Sequence, residues 1–154
     1  MRFVHRRYPF VAFSLAILSA CDPSYGYRPV GWAQDTEHWF VHEEPGFRIR
    51  VLPVIGLIGQ TYIGVEPKVE NHSSVLLVFE TAELVSKGIT YSGKYNGKGE
   101  LKWRSVVPGK EEWLGFSFDF PKPLFEVLEK RLLIRIGYRL EGQELQYLQV
   151  ELQR

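Results

Sequence analysis

The sequence predicts an all-β domain, an antiparallel sandwich with one short helix, and three observations carry that prediction. Apolar residues recur at every second position in one segment after another, the pattern of strands with one wet face. Turn-forming Gly, Pro, Asn and Ser punctuate these segments roughly every 8–12 residues, as in sandwiches. Only one stretch, after Pro121 and Pro123, has helical spacing.

The elements follow in order. In Gly46 to Val54, Phe47, Ile49 and Val51 face one way and Arg48 and Arg50 the other. Ile63, Val65 and Val69 then alternate with Gly64, Glu66, Lys68 and Glu70, and Pro67 falls on the apolar parity. Because proline donates no ladder hydrogen bond, this strand is expected at a sheet edge or with a bulge at Pro67. Asn71-His72-Ser73-Ser74 is a turn by composition, and Val75 to Phe79 has the length of a buried strand. Ile89 to Tyr91 is another short strand. Tyr95-Asn96-Gly97-Lys98-Gly99 suits a hairpin connection, followed by Leu101 and Trp103 alternating with Lys102 and Arg104.

After a turn at Pro108-Gly109, Phe116, Phe118 and Phe120 share one face opposite Ser117 and Asp119. Leu124, Val127 and Leu128 sit at i, i+3 and i+4 and make 121–130 a short helical crossover. Ile134, Ile136, Tyr138 and Leu140 alternate with Arg135 and Arg139. Glu141-Gly142-Gln143 turns the chain into a last strand with Leu148, Val150 and Leu152 inward. Tyr147-Leu148 shifts parity relative to Leu145, which predicts a bulge there. The total is seven to nine strands.

The first twenty residues have a different character. Arg2, Arg6 and Arg7 precede the uncharged run from Phe10 to Ala20, the basic and apolar regions of an export signal. The apolar part, from Tyr8 to Ala20, falls well short of the roughly 20 residues that a spanning helix needs, so a permanent transmembrane anchor is not expected. It ends in Leu18-Ser19-Ala20-Cys21, which resembles the lipobox of bacterial lipoproteins. That resemblance implies cleavage between Ala20 and Cys21, by general secretion, and a diacylglycerol thioether with further palmitate-type acylation on Cys21. Residues 1–20 are then a signal peptide, 21–31 a lipidated cysteine and flexible tether rich in Pro, Gly and Ser, and 32–154 the sandwich domain. In enteric-type lipoproteins an aspartate after the anchor, here Asp22, resembles the signal for retention at the periplasmic face of the inner membrane.

The body from Phe47 to Leu152 resembles an immunoglobulin-like sandwich of the bacterial envelope. The likeness is carried by Val69-Glu70-Asn71-His72-Ser73-Ser74 before a buried strand and Pro108-Gly109 before the phenylalanine-rich one. The paired cysteines of antibody domains are absent, since Cys21 is the sole cysteine. A small closed barrel is the alternative, which the helix and short strands fit less well.

Composition narrows function. Lys and Arg number 19 against 18 Asp and Glu. Loss of Arg2, Arg6 and Arg7 with the leader leaves a mildly acidic chain, so no nucleic-acid partner is expected and the membrane would be held through acyl chains. His38 and His42 are four apart, close enough for one metal on a helix but about 13 Å apart on a strand. The spacing lacks the Glu of an HExxH site, and a surface strand or turn is expected with no metal. Glu43-Glu44 and Glu111-Glu112 are adjacent, and adjacent carboxylates on a strand point to opposite faces rather than across one bond. They are read as solvated turns. Asn71-His72-Ser73 matches a glycosylation acceptor, a match of little weight in such a protein. No nucleophile elbow, phosphate loop or dinucleotide fingerprint is present, and no cofactor is expected.

The expectation is a non-catalytic envelope lipoprotein that binds a protein or an envelope polymer, with Tyr25, Tyr27, Trp32 and Pro67 as the first candidates for partner contact. A lipid-anchored hydrolase or metal-dependent enzyme built on His38 and His42 is the alternative. Replacing Cys21 with Ser is expected to abolish incorporation of labelled palmitate and to leave the precursor uncut, whereas normal labelling of that variant would refute the lipobox.

Overall fold

The structure, a computed structural model, describes residues 24–95 and 104–154. Ala20, Cys21 and the rest of the lipobox lie outside the described residues. So do most of the Tyr95–Gly99 connection and the strand expected at Leu101 and Trp103.

The described residues form fourteen strands and one four-residue helix. They are β1 (Ser24–Pro29), β2 (Ala33–Gln34), β3 (Phe40–Glu44), β4 (Phe47–Val51), β5 (Val54–Leu57), β6 (Tyr62–Val65) and β7 (Lys68–Asn71). Then come β8 (Leu77–Ser86), β9 (Ile89–Tyr95), β10 (Arg104–Val106), β11 (Glu111–Trp113), β12 (Phe116–Asp119), α1 (Leu124–Val127), β13 (Arg131–Leu140) and β14 (Gln146–Gln153). This is the all-β antiparallel sandwich expected, with its one short helix.

A nine-stranded sheet runs β5-β1-β14-β13-β8-β9-β12-β6, with β10 pairing β8, and a five-stranded sheet runs β11-β7-β4-β3-β2. The larger sheet curls until its two end strands, β5 and β6, approach each other without laddering, so the sandwich comes close to a barrel. β8 feeds two neighbours on one side: Leu77–Phe79 pair with β10 and Glu83–Ser86 with β9.

The alternation read from the sequence places the core. Phe47, Ile49 and Val51 on β4, Phe116 and Phe118 on β12 with Phe120 beyond it, and Ile134, Ile136 and Tyr138 on β13 are all buried. Phe47 ties the sheets together: its ring packs edge-on against Phe79 at 5.9 Å and Tyr138 at 4.8 Å. Pro45 and Gly46 turn β3 into β4, and Gly46 takes φ +98°, a conformation that costs other residues a clash.

The fold departs from the sequence expectations in five places. The segment 63–70 is not one strand: β6 belongs to the large sheet and β7 to the small one, and the chain changes layers at Glu66-Pro67. Among the other passages between the sheets, two border the same groove, β4 to β5 at Leu52-Pro53 and β11 to β12 at Leu114-Gly115. The changes at Leu52-Pro53 and Glu66-Pro67 each split a sequence-continuous alternation in two, which helps raise the strand number above seven to nine.

The bulge expected at Tyr147-Leu148 is absent, for β14 pairs with β13 without interruption from Gln146 to Gln153. Leu145 and Tyr147 are on the outer face, where they close over Gly137. The irregularity is on the other flank of β13, where the register against β8 shifts between Gly137 and Tyr138. A Cβ at position 137 would overlap Thr81 Oγ1, so only glycine fits this crowded point.

Glu111-Glu112, read as a turn, begins β11 instead, and the helix is shorter than the segment 121–130 suggested.

The expected tether is also corrected. From Ser24 the chain is a strand, with β1 laddered to β5 along Ser24–Tyr27 and to β14 at Arg28 and Pro29. Tyr27 is fully buried, and its hydroxyl donates to the Glu129 carbonyl at 2.7 Å. Burial raises its pKa to about 12. Proline, glycine and serine composition masked the strand, because its inward face is only Tyr25, Tyr27 and Pro29 on alternate positions.

A chain beginning at Trp32 would lack β1, leaving β5 without its laddered neighbour and β14 with β13 alone. Loss of the buried Tyr27 ring alone costs about 3–5 kcal/mol. In urea denaturation such a chain is expected to be destabilised by at least that amount relative to one beginning at Asp22, and equal midpoints would contradict the role given to β1.

Candidate functional site

The three layer changes occur at one corner of the sandwich and determine what is exposed there. Pro53 and Pro67 carry no N–H, so the ladder stops where the chain turns from one sheet to the other. The Pro67 carbonyl accepts from Leu114 N–H at 2.8 Å, which ties two of the passages together. Beyond the corner, β5 has β1 as its one laddered neighbour and β6 has β12, among the described residues. Each therefore presents a free edge, and the two edges border one groove of about 390 Å³. Leu52, Ile55, Tyr62, Gly64, Glu66 and Trp113 contribute to its walls. Four of these are large apolar groups in solvent: Leu52, Ile55, Tyr62 and Trp113 are 45%, 62%, 49% and 50% exposed.

Trp113 joins this groove to a second feature on the outer face of the small sheet. Arg50 on β4 lies opposite Lys68 on β7, which lies opposite Trp113 on β11, so all three project to the same side. Glu111 bonds both Arg50 and Lys68. The Arg50 guanidinium stands 5.6 Å from the Trp39 ring and the Lys68 ammonium 5.6 Å from the Trp113 ring, while the two indoles meet at 5.5 Å. The hydrogen bond from Lys68, joined by that from Arg50, holds the Glu111 carboxyl below its usual range against a smaller opposing push from burial. Aromatic faces over cations are worth about 0.5–1 kcal/mol each at exposed sites, enough to hold the indoles in place. The result is an aromatic and cationic platform beside a groove bordered by two strand edges that carry no ladder among the described residues. Tyr, Trp and Arg are the side chains that dominate binding surfaces.

The residues singled out in the sequence are elsewhere. Tyr27 is in the core, and Tyr25 is partly buried, with the Arg154 guanidinium 4.2 Å from its ring. Trp32 is partly buried and stacks on His42 at 5.1 Å. Pro67 is buried at the corner rather than offered at an edge. Tyr27 and Pro67 are thus core residues, while Tyr25 and Trp32 are partly exposed and each already packs against a neighbouring side chain.

His38 is exposed at a turn with φ +68°, while His42 is on β3 and bonds Glu44 at 2.8 Å. No helix brings the pair onto one face, and among the described residues no three His, Cys, Asp or Glu gather where an ion could sit. Glu43 pairs with Arg48, and Glu44 also meets the Tyr138 hydroxyl.

Asn71 is fully buried and works as a structural knot. Its amide donates to the carbonyls of Val75 and Val106 at 2.8 and 2.7 Å, and its carbonyl accepts from Ser73 N–H and Oγ. That burial explains the Asn-His-Ser pattern without a glycan.

One signal for the groove was legible. Leu52 occupies the same parity as Arg48 and Arg50, an apolar residue on a wet face. Trp113 gave none, since it follows two glutamates in a strand of three residues.

No family model matches the chain, and no curated protein matches it in sequence. Among solved structures it is similar to the crystal structure of a functionally unknown protein from Listeria monocytogenes EGD-e. That likeness has a TM-score of 0.53 at 11% identity, over 80% of this chain and 85% of that one, and it shows the fold alone. A protein from Archaeoglobus fulgidus aligns with a TM-score of 0.39 at 11% identity, over 72% of this chain and 93% of that one.

A carboxyl with a depressed folded pKa adds stability that is present above its unfolded pKa and is lost as pH falls through the folded value. Glu111→Gln is therefore expected to destabilise the domain at pH 7 by about 0.5–1 kcal/mol, as for a partly exposed ion-pair network. In thermal melts the gap to the unsubstituted protein should close as pH falls below the usual carboxylate range. A gap that stays constant down to pH 2 would show that Glu111 acts by packing and not by charge.

Proposed function

We propose that this protein is a lipid-anchored envelope lipoprotein whose sandwich is a non-catalytic binding module. Its ligand is an extended segment of an envelope protein, held in the groove between β5 and β6. The observation that carries the reading is the pair of free strand edges facing one groove with Leu52, Ile55, Tyr62 and Trp113 exposed along it. A strand laid against such an edge gains main-chain hydrogen bonds, and alternate side chains meet apolar walls. Large apolar groups gathered in solvent mark contact surfaces more often than they mark nothing. Anchoring rests on Leu18-Ser19-Ala20-Cys21, which places the domain at the periplasmic face of a membrane, with Asp22 favouring the inner one.

The enzyme alternative has less behind it. Its two histidines are a turn residue in solvent and a strand residue already engaged by Glu44 and Trp32.

The test uses the full chain in its own membranes, with a photo-crosslinking residue replacing Ile55. A discrete adduct with one protein is expected, and Trp113→Ala or Tyr62→Ala should weaken it at least tenfold, the loss of an interface anchor worth about 2 kcal/mol or more. The thermal midpoint should change little, since both side chains are half exposed. If His42→Ala instead abolished a measurable hydrolytic activity while the groove substitutions changed nothing, the binding reading would fall.

A further inference from the structure

The chain enters the fold at one end of the sandwich, and that end can be traced residue by residue. Ser24, the first residue of β1, lies opposite Leu57, the last of β5. The Leu57 carbonyl accepts from Gln60 N–H at 2.9 Å, and the Gln60 carbonyl from Leu124 N–H at 2.8 Å. Leu124 opens α1, whose Leu124 and Val127 are buried while Phe125 is 52% exposed. The turn from β8 to β9 belongs to the same rim: Lys87 N–H donates to Glu129 Oε1 at 2.6 Å and Ser86 Oγ to the Val127 carbonyl at 2.8 Å. Beside it Ile89 is 55% exposed. Two large apolar side chains therefore stand in solvent on the rim from which the N-terminal segment departs.

We infer that this rim, with Phe125 and Ile89 foremost, rests in the membrane interface as a second, apolar contact beside the lipid anchor. The inference depends on the lipidated Cys21 of the proposed function and specifies how the domain then stands. Cys21 precedes Ser24 by three residues, which reach about 10 Å at full extension. The polar head-group layer of one leaflet is roughly 5–8 Å deep. A thioether carbon seated at its inner boundary thus holds Ser24, and the rim around it, at the lipid surface.

A longer spacer would let the domain turn freely, and this one does not. The opposite end of β8, at Leu77, lies about 30 Å away at 3.3 Å per residue, and the loop holding Val107 lies there beside β10. Charges on the rim are of both signs and mostly paired with one another: Lys122 with Glu126, Lys94 with Asp119 and Arg131 with Glu151, while the Lys87 ammonium donates to the Glu126 carbonyl. Insertion of apolar side chains, not attraction to anionic lipid, carries it.

The experiment uses the full, lipidated chain purified from membranes, with Phe125→Cys, Ile89→Cys or Val107→Cys as the labelling site for an environment-sensitive fluorophore. The Cys21 sulfur is occupied by its thioether and does not react. In phosphatidylethanolamine–phosphatidylglycerol vesicles, labels at 125 and 89 are expected to shift to shorter wavelength and to lose intensity to doxyl-labelled lipids. The label at 107, 48% exposed in the protein, should do neither. The shift should persist when phosphatidylglycerol is replaced by phosphatidylcholine. If Cys21 carries its acyl label yet positions 125 and 89 respond like 107, this inference fails and the anchor stands. If Cys21 carries no acyl label, the anchor and this inference fail together. If the labels at 125 and 89 are already shielded in detergent-free protein without vesicles, in proportion to its concentration, a second copy covers the rim and the membrane contact is overturned.

Discussion

Three passages of the chain from one sheet to the other, at a single corner, govern the rest of this molecule. At Leu52-Pro53, Glu66-Pro67 and Leu114-Gly115 the backbone leaves one layer and joins the other. Two prolines remove the donors that would continue a ladder, and Leu114 N–H to the Pro67 carbonyl is the bond that holds two passages side by side. Because β5 and β6 both start or end at this corner, each is laddered on one flank only. The large sheet curls toward closure and stops short. The groove is what remains of the seam, lined from the outward faces of β5 and β6 by Ile55 and Tyr62 and from the corner by Leu52 and Trp113.

The same corner gives the small sheet its charged face. β11 is three residues long because the chain must leave the sheet after Trp113, yet those residues bring Glu111 onto Lys68 and Arg50 and set Trp113 beside Trp39. The charged and aromatic face and the fold are thus built from the same constraint. At the far end of β7 the buried Asn71 does the opposite job, for its side chain satisfies the carbonyls of Val75 and Val106 on two neighbouring segments. A buried amide in such a place specifies one arrangement, since any other leaves polar groups unpaired.

At the entry rim, β1 is short and polar in composition but indispensable in position, lying between β5 and β14. With Tyr27 in the core and Tyr25 beneath Arg154, little chain is left between the domain and Cys21. Aromatic residues that in the sequence suggested an adhesive tether instead shorten it.

Local pattern sufficed for much of this protein. The period-two alternation of β4, β12, β13 and β14 identified the inward faces, since burial on one side of a strand writes itself into every second residue. The lone helix and the turns at Asn71–Ser74, Pro108-Gly109 and Glu141–Gln143 were legible because proline, glycine and asparagine act on their own backbone. What only the tertiary structure decided is where a continuous alternation changes sheet, that β1 is a strand at all, and that β5 and β6 face each other with their edges free. Those outcomes depend on partners distant in sequence: Tyr27 is buried by contact with residues about Glu129, and Trp113 meets Trp39 across β7 and β4. Alternation records that a face is covered, but the identity of the covering segment is set by packing among all of them at once, and no single stretch of sequence contains it.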